Sequence, residues 1–339
     1  MHADFGTVDN APQGAGHGRV HVPVLLQEAI NFLAVQRGGT FIDATVGLAG
    51  HSCEIAKLLG APGRLIGVDK DPAALERARA NLQPPPGREG DWPQIELVHA
   101  SFAELLAELG ERFEAGSVNG ILADIGMSSL QLNDPARGFS FQAEGPLDMR
   151  MNTQSGQTAE QVVNTIDEKD LADVIYEFGE ERRSRRIARA IVRARPIRNT
   201  AHLAEVVSVA ARSMKSHGIH PATRTFQAIR IFVNRELDDL RELLQAAPRL
   251  LKPGGRVVII SFHSLEDRIV KDAFREGAQD VIYNVLTKKP VTASDEEIER
   301  NPRSRSAKMR AAEKSLGEKS LGLEKQPVRP AGRKRLPGF

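Results

Sequence analysis

The chain has 339 residues, 41% apolar and 27% charged, with a formal net charge of +2, enough for one large or two smaller domains with a sizeable core. Its single cysteine, Cys53, excludes a disulfide framework and a multi-cysteine zinc site and points to a reducing compartment. No apolar run reaches the roughly 18–20 residues of a membrane span, and "MHADFGTVDNAPQGAGHG" lacks an apolar signal core, so a cytoplasmic location is expected, with residues 1–18 as a disordered arm.

A helix is expected at 24–35, and then "TFIDATVGLAGHS" (40–52) reads as a buried strand, a glycine turn and a helix over 50–59. A dinucleotide turn needs three glycines against a pyrophosphate; this one offers Gly47 and Gly50 only. Asp43 faces the place where a pyrophosphate would lie, the wrong sign for a phosphate cradle. The turn therefore suits a nucleoside without phosphate. The next strand, "RLIGVD" (64–69), ends on Asp69, 22 residues past Gly47 and close to the roughly 20-residue offset of an acid that takes ribose hydroxyls. Asp71 is better placed to cap the helix at 72–82.

The proline-rich stretch from Pro84 to Pro93 reads as a surface loop, followed by strands at 95–99 and 120–125 flanking a helix at 101–110. This alternation predicts an α/β fold with a parallel, doubly wound sheet. The next strand, "RVVIISF" (256–262), comes only after about 130 mostly helical residues, where a crossover needs about a dozen. The excess predicts an inserted helical domain over 127–222, followed by a helix at 225–251. Charge is uneven: eight arginines and no acid lie between Arg182 and Arg198, and Pro302–Phe339 holds 11 Lys+Arg against 3 Asp+Glu. A basic tail on an otherwise acidic body favours a polyanionic partner, although such patches are often merely solvated.

"HVPVLLQEA" (21–29), "DATVGLAGHS" (43–52), "GVDKD" (67–71), "GILADIGMSS" (120–129), "RGFSFQAEGPLDMRM" (137–151), "HPATRTFQAIRI" (220–231), "SFHSLEDRIVK" (261–271) and "NPRSRSAKMR" (301–310) follow in that order. Together they resemble the bacterial ribosomal RNA small-subunit methyltransferase H family from about His21 to Lys314. The resemblance implies a class I (Rossmann-like) S-adenosylmethionine-dependent methyltransferase sheet carrying an inserted helical domain. It divides the chain into a methyltransferase domain at 19–126 and 223–314, the insertion at 127–222 as the expected RNA-recognition part, and a basic flexible tail at 315–339. The implied reaction is N4-methylation of a cytidine (cytosine 1402) in the decoding region of 16S rRNA. The implied partner is that RNA or the small ribosomal subunit, with no membrane; monomer and homodimer both stay open.

By the resemblance, cofactor contacts fall on Ala49, Gly50, His51, Asp69, Phe102, Asp124 and Gln131. Ala49 departs from the family's usual glycine; if its φ is positive, alanine costs roughly 1 kcal/mol there. Helix N-terminal N–H groups at 49–51 suit the methionine carboxylate, Asp69 the ribose, and Phe102 the adenine. Methyl transfer is an in-line displacement in which alignment supplies most of the acceleration, up to roughly 7–11 kcal/mol. The exocyclic amine needs a hydrogen-bond acceptor, yet after the fourth strand the chain reads "DIGM", without the Pro-Pro-aromatic turn of many DNA amino-methyltransferases. Candidates are Asp124, a carbonyl near Ile125–Gly126, and His263, Ser264 and Asp267, with Arg268 on phosphate; helix capping and ion pairing are equally good readings of those last four. Arg185, Arg186 and Arg189 are RNA candidates on the insertion. His217 and His220 have metal-like spacing without a third ligand, so no metal is expected. Of two rival functions, an NAD-dependent oxidoreductase is disfavoured by the missing third glycine, and a catalytically silent RNA-binding factor is hinted at only by Ala49, which a methyl-transfer assay decides.

Overall fold

A computed structural model describes residues 22–101, 104, 114–211 and 220–316. Phe102, His217, the arm at 1–18 and most of the tail therefore lie outside the described residues.

Seven strands make one sheet in the order β3-β2-β1-β4-β5-β7-β6. These are β1 Thr40–Asp43, β2 Arg64–Asp69, β3 Gln94–His99, β4 Val118–Asp124, β5 Leu251–Ser261, β6 Tyr283–Val285 and β7 Lys308–Lys314. The first five run parallel, and β1, β2, β4 and β5 carry the buried apolar runs of strands covered on both faces, while β3 at the edge is only partly buried. The wholly parallel expectation needs correction at one edge. β7 is antiparallel to both β5 and β6, closing the sheet with strands the sequence reading did not contain.

Helices cover both faces. Against one face, α1 (Leu26–Leu33), α2 (Gly50–Leu59) and α3 (Pro72–Asn81) bury Leu33, Ile55, Leu59 and Leu75 with Phe41 and Leu65. On the other, Leu240, Leu243, Leu244, Val270 and Phe274 pack on Ile66, Ile121 and Val257. Those residues come from α10 (Glu236–Leu250) and α11 (Ser264–Gln279). Asp71 caps α3 as expected, accepting from Ala73 N–H at 3.0 Å with Pro72 in the first turn.

Between β4 and β5 the chain forms α4 (Ser129–Asn133), α5 (Ala159–Thr165), α6 (Glu168–Gly179), α7 (Ser184–Arg193), α8 (Thr200–Ala211) and α9 (Ala222–Asn234). α5–α9 share a core of their own, in which Val163, Leu171, Ile175, Ile187, Ile191 and Leu203 meet Phe226 and Ile229. This core extends into α9, beyond residue 222. The expected helix at 225–251 is two helices, because exposed Arg235 adopts φ +52° and turns the chain between α9 and α10.

The segment before α1 crosses the glycine turn. A Cβ on Gly50 would lie 2.3 Å from Pro23 Cγ, so only glycine lets Pro23 sit there. His51 Nε2 lies 3.0 Å from the Val24 carbonyl and ties the same segment to α2. Gly50→Ala should cost about 1–3 kcal/mol in urea unfolding, the usual range for overpacking, and Pro23→Ala in the same chain should recover most of it. Unchanged stability of Gly50→Ala would place Pro23 away from the turn.

Candidate active site

The parallel strands reverse their winding between β1 and β4, so a crevice opens beyond their carboxyl ends. A cleft of about 610 Å³ lies there, bordered by Thr45, Gly47, Gly50, His51, Asp69, Asp124, Gln131 and Phe262 among others. Adjacent strands β2, β1 and β4 end in Asp69, Asp43 and Asp124, so the register alone gathers three carboxylates.

Their surroundings give them different work. Asp69 accepts from Gly47 N–H and Asp71 N–H, each at 2.9 Å, one per oxygen. Burial pushes its pKa up to about 6, against the pull of those two bonds. Each oxygen keeps a second lone pair for a ligand hydroxyl. Asp43 does not face the cleft as the sequence suggested. It is buried beneath the turn, accepting from Ser52 Oγ at 2.6 Å and Thr45 N–H at 3.2 Å, with burial raising its pKa to about 6. Thr45 Oγ1 then accepts from Asp124 N–H at 2.6 Å, which fixes the end of β4 to the turn.

Asp124 is the least satisfied of the three. Its Oδ2 lies 3.7 Å from His51 Nδ1, while Oδ1 is buried without a hydrogen-bond partner. Burial, with the nearby charges of Asp43 and Glu266, pushes its pKa well above the usual carboxylate range. The chain then turns through Gly126 at φ +127°, where a side chain would be strained, and Ile125–Ser128 lines the cleft.

Ala49 has φ +65°, the left-handed conformation that makes alanine less favourable than glycine. Its methyl group is buried in the core below the turn, so Leu48 and Gly50 border the cleft and Ala49 does not. Gln131 is at the cleft, but its amide is already engaged. Oε1 accepts from Ser128 N–H in a capping box and Nε2 donates to Asp71 at 3.0 Å.

The "FHSLED" candidates need correction: none of His263, Ser264 and Asp267 borders the cleft. His263 caps α11, and its Nε2 is 3.0 Å from Glu266 Oε1. Glu266 is wholly buried; that burial is outweighed by His263 and Arg230, which hold its pKa below the usual value. Ser264 Oγ donates to Glu180, and Arg268 Nη2 bonds the same carboxylate at 3.1 Å, so both link α11 to the end of α6. Asp267 is taken by Arg310 at 2.6 Å and Lys308 at 3.6 Å. On α7, Arg185 and Arg186 are exposed and Arg189 pairs with Glu168 at 3.2 Å. His220 lies against Phe141, ring centroids 4.6 Å apart, and no metal-holding group occurs among the described residues.

Several cleft residues had no role in the sequence reading. Glu236 and Asp239 come from α10, Met151 from the loop before α5, Arg300 from the end of α12 (Asp295–Arg300), and Asn301 and Arg303 from the segment after it. Only the Arg-Ser-Arg pattern within "NPRSRSAKMR" hinted at the last group.

The description "MraW methylase family" matches residues 18–315. The ribosomal RNA small subunit methyltransferase H of Koribacter versatilis is 67% identical over 85% of this chain and 92% of its own length. That of Acidobacterium capsulatum is 63% identical over 85% and 96%. The chain belongs to the ribosomal RNA small-subunit methyltransferase H family. As a methyltransferase H family member with a class I, Rossmann-like sheet, it takes S-adenosylmethionine as cofactor.

The buried Asp43 of this methyltransferase has a consequence for stability. A carboxyl that holds its proton more tightly folded than unfolded stabilises most below its unfolded pKa of 3.8, and that contribution is lost as pH rises through about 6. Asp43→Asn carries no charge to bury, so its stability relative to the parent should improve by roughly 2–3 kcal/mol between pH 3 and pH 7. Urea unfolding at each pH measures this; a pH-independent difference would mean that Asp43 titrates normally.

Proposed function

We propose that this chain transfers the methyl group of S-adenosylmethionine to N4 of a cytidine in the decoding region of 16S rRNA, cytosine 1402, acting on the RNA or on the small ribosomal subunit in the cytoplasm. The names of its relatives support ribosomal RNA as the substrate class. The observation that carries the choice of an amine is Asp124 Oδ1, a buried oxygen without a partner at the edge of the cleft. The lone pair of cytosine N4 is delocalised into the ring, and a carboxylate that accepts one N4 hydrogen favours the geometry needed for in-line attack. A raised proton affinity makes Asp124 a stronger acceptor once it is ionised.

The cofactor then lies along the turn. Asp69 accepts the ribose hydroxyls through its remaining lone pairs, and the adenine is assigned to Phe102, outside the described residues, by the family resemblance alone. Gly50 and His51 offer N–H groups at the start of α2 to the methionine carboxylate. Ala49 shapes the turn from beneath, His51 positions Asp124, and Gln131 closes the site while holding Asp71. The insertion at 127–222 forms the RNA-facing wall, with Arg185, Arg186 and Arg189 on flanking phosphates; Arg268 reaches RNA only by leaving Glu180. The target base must be unpaired or extruded, because a paired N4 is occupied in hydrogen bonding.

Methyl-labelled cofactor, offered with purified 16S rRNA and with small-subunit particles, should yield N4-methylcytidine; label on a ring carbon or on ribose would refute the reading. Asp69→Ala should weaken cofactor binding at least tenfold by calorimetry, since hydrogen bonds to a charged acceptor contribute roughly 1.5–3 kcal/mol. A folded variant with normal affinity would remove Asp69 from the site.

Protonated Asp124 cannot accept the amine hydrogen, so kcat/KM should rise with pH through a pKa above the ordinary carboxylate range. Asp124→Asn should lose that acid limb and at least tenfold in kcat, roughly 1.4 kcal/mol or more of barrier. An acid limb that survives in the variant assigns the titration to another group.

A further inference from the structure

The charged groups of the cleft come from different parts of the chain. Asp69 and Asp124 arrive from β2 and β4, and Glu236 and Asp239 from α10, whereas Glu299 and Arg300 end α12 and Arg303 follows it. Lys70, the lysine at the cleft, is already committed, to Asp239 and to the Asn234 carbonyl.

The arginine-bearing segment is built into the molecule. Ser304 is fully buried and its Oγ donates to the Asn301 carbonyl at 2.8 Å. Asn301 Nδ2 donates to the Val22 carbonyl at 3.0 Å, and Glu297 Oε1 accepts from Leu25 N–H at 2.8 Å. Both bonds fasten this rim to the segment that crosses Gly50. Arg303 Nη2 donates to Asn133 Oδ1 at 3.2 Å, which aligns its guanidinium across the mouth.

We infer that Arg300 and Arg303 form a phosphodiester-binding rim, which grips the RNA backbone beside the nucleotide that enters the cleft. This rests on the RNA-methyltransferase reading given above. A nucleotide drawn out of its strand brings its flanking phosphates to the cleft mouth, where the Asp69 carboxylate repels them, while Glu236 and Asp239 are paired with Arg230 and Lys70. Two guanidiniums at the mouth offset that repulsion and present planar donor pairs that match phosphate oxygens. The other anion of the reaction, the methionine carboxylate, is served by N–H groups at the start of α2. Arg185, Arg186, Arg189 and Arg268 do not border the cleft, so on this reading they hold the RNA backbone farther from the entering nucleotide than Arg300 and Arg303 do.

The test uses the full chain with Arg300→Ala, Arg303→Ala and the double variant. Arg300 is exposed, so its variant folds whatever happens at the half-buried Arg303. Three quantities are measured: cofactor Kd by calorimetry, KM and kcat for methylation of the RNA, and RNA affinity by filter binding at several salt concentrations. The double variant should raise the RNA KM about tenfold or more while kcat stays within about threefold and cofactor Kd within about twofold. The log–log salt slope of RNA affinity should flatten by about 1 for each lost phosphate contact. Arg300→Lys should keep most of the slope. Weakened cofactor binding would assign the guanidiniums to the methionine end, and an unchanged salt slope would leave them without a phosphate; either result overturns the inference. Filter binding still reads the rim if the parent enzyme methylates no RNA, a failure that would instead sink the proposed function.

Discussion

The arrangement of the cleft depends on one buried carboxylate, Asp71. Its Oδ1 caps α3, while its Oδ2 accepts from Gln131 Nε2 at 3.0 Å and Arg137 Nη1 at 2.7 Å. The second nitrogen of Arg137 continues to the carbonyls of Arg150 and Met151, and Met151 N–H donates to Asn234 Oδ1. The loop after β2, the short helix after β4 and the turn at Arg235 are thus joined through a network that starts at Asp71 and runs through Gln131, Arg137 and Asn234. A carboxyl group that is 1% exposed needs partners, and here a guanidinium, an amide and a backbone N–H meet it. Removing it would strand the Arg137 charge, a change that typically costs 3–5 kcal/mol.

A second constraint is the crowding of acids at the strand ends. Like charges that converge without a lysine or arginine beside them raise one another's proton affinity, and burial adds to the effect. Asp69 is kept ionisable by two backbone N–H groups and Asp43 by Ser52 and Thr45, whereas Asp124 receives little beyond the distant His51. An acceptor so poorly satisfied is strained electrostatically until something donates to it. In the proposed binding mode the sulfonium of the cofactor would bring positive charge into the same space and lower the cost of keeping the carboxylates there ionised.

The parts of the fold carried by local pattern were legible in the sequence. The buried strand runs, the glycine turn, Asp69 at its offset and the cap at Asp71 follow from periodicity and hydrogen-bonding needs that a short window contains. Features set by distant partners were not. β7 reads "KMRAAEK", with no alternation of apolar residues, because Arg310 is neutralised by Asp267 and Lys314 Nζ donates to the Leu251 carbonyl. The break at Arg235 has neither glycine nor proline to mark it. At the site, "SFHSLED" suggested chemistry, since helix caps and catalytic groups draw on the same residue types; only the placement of Glu180 and Arg310 separates the two roles.

The position of β7 also orders the assembly of the chain. It lies between β5 and β6, yet it is the last of the seven strands to be made. During synthesis at roughly 5–20 residues per second, β5 waits several seconds with one edge unpaired, and β6 has no strand beside it. Unpaired edges of this kind invite pairing with other chains. The polar rim segment emerges just before β7, so the nascent sheet is closed by the same stretch that finishes the mouth of the cleft.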